Sequence, residues 1–135
     1  MKKIRLLLAD DNSRVLRLLA CLLANEYQIV GTVPDGKALV AAALDLQPDV
    51  VISDVDMPAL DGLEAARQLR NALPRTKVIL MSGHDDAEQV AGAYASGACA
   101  FVSKGKTGDL RAIFSSIIHG VLAQSAFEEP VGNGV

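Results

Sequence analysis

The sequence predicts an α/β fold: a doubly wound sheet of five parallel strands, order 2-1-3-4-5, with helices on both faces. Three observations predict it. Short apolar runs alternate five times with longer stretches of helical periodicity. The first, third and fourth runs are almost wholly apolar, as strands buried on both faces are, whereas the second carries Gln28, Gly31 and Thr32, which suits an edge. Right-handed crossovers between parallel strands then favour that strand order.

The elements follow in sequence. The first strand covers 4–9, and helix 13–24 sets Val15, Leu18, Leu19 and Leu22 on its inner face. Strand 28–33 ends at the turn Pro34-Asp35-Gly36. Helix 37–46 aligns Leu39, Ala42, Ala43 and Leu46, and Gln47-Pro48-Asp49 stops it before strand 50–54. A loop from Met57-Pro58 to Asp61-Gly62 leads into helix 63–73, with Leu63, Ala66, Leu69 and Leu73 inward and Pro74 at its end. Strand 77–82 is followed by helix 87–96, aligned on Ala87, Val90, Ala91, Tyr94 and Ala95, with Gly97 as the residue that closes it. Strand 100–103 precedes a last helix, from a Thr107 cap to about 122, with Leu110, Ile113, Phe114, Ile117, Ile118 and Val121 inward. Residues 1–123 read as one domain, and 124–135 as a tail or the start of a linker, since Gly and Pro recur there.

Composition narrows the classes of function. In 135 residues, 50% hydrophobic, one core is expected. No apolar run is long enough to cross a bilayer, and the one after Met1 is cut short by Asp10-Asp11 before it reaches the length of a secretory signal, so a cytoplasmic protein is expected. Net charge is -3, without a basic run, so this chain is not expected to bind nucleic acid directly. Cys21 and Cys99 lack metal-ligand spacing and sit in apolar stretches, as small apolar residues do.

The chemistry lies where the apolar runs end. Asp10-Asp11 ends the first, Asp54 the third, Ser82 the fourth and Lys104 the fifth. Each has an ordinary reading alone: Asp11, Asn12 or Ser13 as a helix cap, Asp54 and Ser82 as turn residues, Lys104 as a solvated charge. In a parallel sheet all of them gather on one rim, at the carboxyl ends of the strands, where ligands bind. Two carboxylates about 4 Å apart repel by roughly 4 kcal/mol at an effective dielectric near 20, and a third adds to this. One lysine does not neutralise three acids. Mg²⁺ does: it is a hard ion that takes oxygen ligands and keeps waters that phosphate oxygens can replace. Histidine is scarce and no thiol stands beside the acids, which argues against zinc. A carboxylate is also a nucleophile able to form an aspartyl phosphate. Asp54 is assigned that role as the deepest of the acids, with Lys104 balancing one phosphoryl oxygen and Ser82 donating to another.

At these positions the chain resembles the receiver domain of two-component response regulators, the flavodoxin-like form of the doubly wound sheet. The matching pieces are Leu8-Ala9-Asp10-Asp11-Asn12, Asp54-Val55-Asp56-Met57-Pro58 with Asp61-Gly62, Met81-Ser82-Gly83, and Gly97-Ala98 with Phe101-Val102-Ser103-Lys104. The resemblance implies phosphoryl transfer to Asp54 from the phosphohistidine of a sensor histidine kinase or phosphotransfer protein. It implies Mg²⁺ held by Asp11, Asp54 and the backbone carbonyl of Asp56, with Asp10 acting through water. It implies a switch in which Ser82 moves toward the phosphoryl group and Phe101 turns inward, with homodimerisation on phosphorylation as one outcome. The stretch 36–70 is similar to receivers of LuxR-type helix-turn-helix regulators, and this resemblance implies an output in transcription through a C-terminal DNA-binding domain, with a stand-alone receiver as the alternative. Ser82 stands where many members have Thr, and Gly105-Lys106 follows Lys104 where Pro is common. Asp56 and His84 flank the site and are placed to tune phosphate lifetime.

Three rivals are weaker. Asp54-Val55-Asp56 also resembles the Asp-x-Asp of haloacid-dehalogenase-type phosphatases, but an acidic pair precedes it and the chain has no room for a cap domain. A flavodoxin-like FMN site would meet repulsion from the acidic loop after the first strand. A receiver-like module that is never phosphorylated does not need the full set of acids, hydroxyl and lysine. Two secondary expectations concern partners and motion. Leu16, Ala20 and Leu23 form a second apolar stripe on the first helix, a candidate docking face. Gly92 weakens an Ala-rich helix beside Ser82, a candidate movable element.

Overall fold

The computed structural model describes residues 2–83, 86–104 and 109–133, with side chains through Ala123. The expected cap at Thr107, the flanking His84 and the Gly105-Lys106 pair lie outside the described residues. The elements run β1 (Arg5–Ala9), α1 (Ser13–Leu23), β2 (Gln28–Val33), α2 (Gly36–Leu46), β3 (Val50–Asp54), α3 (Gly62–Ala72), β4 (Lys77–Ser82), α4 (Ala87–Ala95), β5 (Ala100–Ser103) and α5 (Leu110–Asn133). The five strands form one parallel sheet in the order β2-β1-β3-β4-β5, as the apolar runs predict.

Alternation along the strands builds two cores. Leu6, Leu8, Val50, Ile52, Ile79, Met81 and Val102 face α1 and α5, where Leu19, Leu23, Phe114 and Ile118 meet them. Leu7, Ala9, Val51, Val78 and Leu80 face the other way, against Leu39 and Ala43 of α2, Ala65, Ala66 and Leu69 of α3, and Ala93 of α4. The same alternation, carried one residue past the apolar stretch, places Asp10, Asp54 and Lys104 toward the α1/α5 face and Ser82 toward the α4 face.

Helix starts are fixed by short polar side chains. Asn12 caps α1, Asp35 α2, Asp61 α3 and Asp86 α4, each accepting from backbone N–H groups of the first turn. In the described part of α5 the capping oxygen belongs to Asp109, which accepts from Ala112 N at 3.2 Å. Each such cap is worth about 1 kcal/mol. These bonds account for Asp35, Asp61, Asp86 and Asp109, and so separate the capping acids from those on the rim. Helix α5 runs on to Asn133, beyond the expected 122: residues 121–129 hold no Gly or Pro, and the helix continues through Pro130 and Gly132.

Two helices sit rotated from the expected faces. In α1 the deepest residues are Leu19 and Leu23, while Leu18 is 50% exposed. Leu16 and Ala20 pack against the α1/α5 core, so the stripe Leu16-Ala20-Leu23 lies against the sheet and is not an open docking face. In α4 the buried residue is Ala93, and Tyr94 is 51% exposed, with Ala87, Ala91 and Ala95 also outward. In α1 the apolar residues form one arc and Leu18 stands at its edge, whereas alanines occur almost all round α4, so hydrophobic periodicity separates the faces of α4 poorly.

Gly62 begins α3 directly beneath Asp54. Its N–H donates to Val55 O at 2.7 Å, and a Cβ there would run into the carbonyl oxygen of Asp54. Any larger residue would push α3 off the end of β3, which carries the rim's central carboxylate.

Candidate functional site

The strand ladders continue past the strands and hold the rim in register. Asp10 N donates to Val33 O at 3.1 Å, Val55 N to Met81 O at 2.9 Å, and Lys104 N to Ser82 O at 2.8 Å. These bonds bring residues 94 positions apart in sequence into contact. Lys104 Nζ lies 2.7 Å from Asp10 Oδ2 and 3.1 Å from Asp54 Oδ2. One ammonium thus bridges two carboxylates that the fold has taken out of water. The other oxygen of Asp10 accepts from Asn12 N at 2.9 Å, and Asp54 Oδ1 accepts a long bond, 3.4 Å, from Asp56 N.

Asp10, Asp11 and Asp54 each offer an oxygen within 4.8 Å of the others. Asp11 is exposed, Asp54 is 5% exposed and Asp10 wholly buried. The deepest acid is therefore Asp10 and not Asp54, although each ends a strand that has a neighbour on both sides. Oxygen ligands only, three acids against one ammonium and one open side fit a hard divalent ion such as Mg²⁺. Ser82 is also fully buried, one residue beyond Met81, the β4 partner of Asp54. Phe101 is half-buried and packs on the core under α2 to α4. For Asp56 the structure shows the backbone N–H turned to Asp54 and the side chain exposed.

The charge balance is uneven. Burial pushes the Asp54 carboxyl above its ordinary 3.8, and the charge of Asp10 adds to this; the Lys104 bond and charge and the Asp56 N–H pull the other way without winning. Burial works against the Lys104 ammonium, but its bonds to Asp10 and Asp54, and their charges, hold it above 10.5. The sign for Asp54 follows. Above pH 3.8 the unfolded chain gives up this proton before the folded chain does, so stability falls as pH rises through the folded value. Without divalent ions, Asp54→Asn is expected to melt above wild type at neutral pH, with the gap closing as pH falls below 3.8. Parallel thermal melts in EDTA check this; a gap that stays constant with pH would contradict the assignment of burial as the cause.

Sequence reasoning found Asp10, Asp11, Asp54, Ser82 and Lys104, and the structure gathers all five at one end of the sheet. It missed Gln89, whose Nε2 donates to Ser82 Oγ at 3.4 Å. Asp86-Ala87-Glu88-Gln89 has the spacing of a capping box, which would turn the glutamine back on its own helix start.

A parallel doubly wound sheet with an acid–lysine rim at its switch point defines an α/β protein with a candidate ligand site at the carboxyl ends of its strands. Residues 6–115 match the family described as the response regulator receiver domain, and the chain belongs to that family. A phosphoacceptor role and Mg²⁺ are general properties of the family. An uncharacterized transcriptional regulatory protein of Bacillus subtilis, YxjL, is 34% identical over 104 residues, 76% of this chain and 48% of that protein. A protein-glutamate methylesterase/protein-glutamine glutaminase of Symbiobacterium thermophilum is 38% identical over 107 residues, 76% of this chain and 29% of that protein. The chain thus spans less than half the length of these relatives. The signal receiver domain of NarL from Mycobacterium tuberculosis superposes with a TM-score of 0.80 at 29% identity, covering 93% of this chain and 98% of that one. Among the described residues no helix is long and apolar enough to cross a membrane.

Proposed function

We propose that this chain is the phosphoacceptor of a two-component pathway, taking a phosphoryl group onto Asp54 from a sensor histidine kinase or phosphotransfer protein. The observation that carries this reading is the Lys104 ammonium shared by the buried Asp10 and Asp54. Bound at Asp10, Asp11, Asp54 and the Asp56 carbonyl, Mg²⁺ would neutralise charge on the acids and on the incoming phosphoryl oxygens. The chain's own groups do the rest. Burial makes the Asp54 carboxylate more basic, hence a better nucleophile. One of its oxygens bonds to phosphorus as the P–N bond of phosphohistidine breaks, and the imidazole leaves with that electron pair. Lys104 then holds a phosphoryl oxygen, and Ser82 donates to another. Asp54 is an acceptor and not the centre of a turnover phosphatase; the chain assists its own phosphorylation and dephosphorylation.

Phe101, on the same side of the sheet as Ser82, is the side chain proposed to follow the switch. The output proposed is transcription through a C-terminal DNA-binding domain, or a stand-alone role, with homodimerisation on phosphorylation. Incubation with acetyl phosphate and Mg²⁺, read by intact mass, tests the acceptor role. One phosphoryl adduct is expected, and none with EDTA; no adduct in Mg²⁺ would end the reading.

The phosphodonor is placed over α1. A groove of about 150 Å³ opens beside Lys104, lined by Val15, Leu18, Leu110 and Phe114 among others, and Leu18 stands exposed at its edge. Leu18→Glu is expected to slow transfer from a phosphohistidine protein about ten-fold or more, the size of effect seen for an interface residue worth over 1 kcal/mol. Labelling by acetyl phosphate should be unchanged. Equal loss with both donors would place the effect in the fold and not in docking.

A further inference from the structure

We infer that Ser53 is a positioning residue for the acceptor: its hydroxyl pins the peptide bond that carries Asp54 into the loop before α3. The inference rests on the acceptor reading above. Ser53 immediately precedes Asp54, a hydroxyl at the end of the apolar run Val50-Val51-Ile52. It is wholly buried, on the face of the sheet opposite the Asp54 carboxylate, and the phosphoryl chemistry gives it no task. Burying a hydroxyl costs free energy unless it is hydrogen-bonded. Ser53 Oγ donates to the backbone oxygen of Asp54 at 2.9 Å. Met57 Sγ lies at 4.0 Å, a weak acceptor at long range, so the carbonyl takes the proton.

The sheet explains why that carbonyl needs a donor. Val55 N, at the other end of the same peptide, donates to Met81 O of β4 at 2.9 Å. In a trans peptide the C=O points the opposite way, toward β1. The pairing of β1 with β3 ends at Ala9 and Ser53, so this oxygen lies past the last rung. Gly62 closes over it, near enough that a Cβ would collide with the oxygen. The Ser53 hydroxyl fills the gap, and both ends of the Asp54–Val55 peptide are then fixed. The next peptide is fixed as well: Gly62 N donates to Val55 O at 2.7 Å, and Asp56 N donates to Asp54 Oδ1 at 3.4 Å. The Asp56 backbone is thereby carried back toward the acceptor carboxylate, and with it the carbonyl proposed as a ligand of Mg²⁺. Ser53 touches neither the phosphoryl group nor the metal, so its effect runs through the backbone from Asp54 to Asp56. Without the bond, the peptide turns to find another donor, and Mg²⁺ binding has to turn it back.

Two variants separate the hydrogen bond from the volume. Ser53→Ala removes the donor, whereas Ser53→Cys fills the space but donates weakly. Thermal melts over a Mg²⁺ titration read metal affinity, because binding to the folded form alone raises the melting temperature. Both variants should bind Mg²⁺ about ten-fold more weakly than wild type, the scale set by a buried carbonyl left unpaired. At saturating Mg²⁺ both should also label with acetyl phosphate about three- to ten-fold more slowly. A residue that only packs would lower the melting temperature in EDTA and leave the Mg²⁺ affinity and the saturated rate unchanged. That result, or wild-type affinity and rate in Ser53→Cys, would overturn the inference. Failure of wild type to label would instead overturn the acceptor reading, and the Mg²⁺ titration would still decide the role of Ser53.

Discussion

Asp54→Asn is expected to abolish the phosphoryl adduct, lowering labelling by on the order of a thousand-fold or more. The asparagine keeps the volume and most of the hydrogen bonding of the side chain, so Gly62 and α3 retain their place under β3. It removes the nucleophile: an amide oxygen gives its electron pair to phosphorus poorly. It also removes a carboxylate whose charged form burial, and to a lesser extent the charge of Asp10, disfavours. The variant should therefore lose labelling while gaining stability at neutral pH, a pairing that misfolding cannot produce. Asp10→Asn serves as contrast. It leaves the nucleophile and should slow labelling without erasing it. Intact mass after acetyl phosphate reads both variants. An adduct on Asp54→Asn equal to wild type would move the acceptor elsewhere.

Lys104→Met has the second large effect. It leaves Asp10 and Asp54 facing each other, both buried, with the bridging ammonium gone. Removing one partner of a buried pair costs about 3–5 kcal/mol. The Lys104 side chain is 29% exposed, so water screens part of this and the low end applies. In EDTA the melting temperature should fall by on the order of 10 °C for a domain of this size. Millimolar Mg²⁺ should recover much of that loss, since it binds only the folded cluster. Labelling should stay slow even with Mg²⁺, because the phosphoryl oxygen that Lys104 would hold has no counter-charge. Equal melting of Lys104→Met and wild type in EDTA would show that the ammonium is not what makes the two acids tolerable.

The strands and the rim were legible because they rest on strong signals. Four of the five strands, β2 to β5, have the expected bounds, since apolar runs bounded by Pro, Gly or charge leave few choices. Asp10, Asp54, Ser82 and Lys104 came together because parallel strands put all carboxyl ends on one side. Helix faces were less legible. Leu18 lies at the edge of the apolar arc of α1, where a small rotation turns it outward, and Ala93 in and Tyr94 out differ by a rotation that an alanine-rich helix does not encode. The greater depth of Asp10 is a matter of tertiary placement that its own apolar run does not encode. Gln89 was hidden by a local pattern: its spacing from Asp86 satisfies a capping motif, and only tertiary placement of α4 beside β4 redirects its side chain.

Reductive trapping tests the central claim most directly. Borohydride reduces an acyl phosphate to the alcohol, so a phosphorylated aspartate becomes homoserine in the trapped chain. After labelling with acetyl phosphate, peptide mapping should find homoserine at position 54 alone, present with Mg²⁺ and absent with EDTA. Homoserine at position 10 or 11, or at 54 regardless of Mg²⁺, would contradict the account of a metal-assisted acceptor built from this rim.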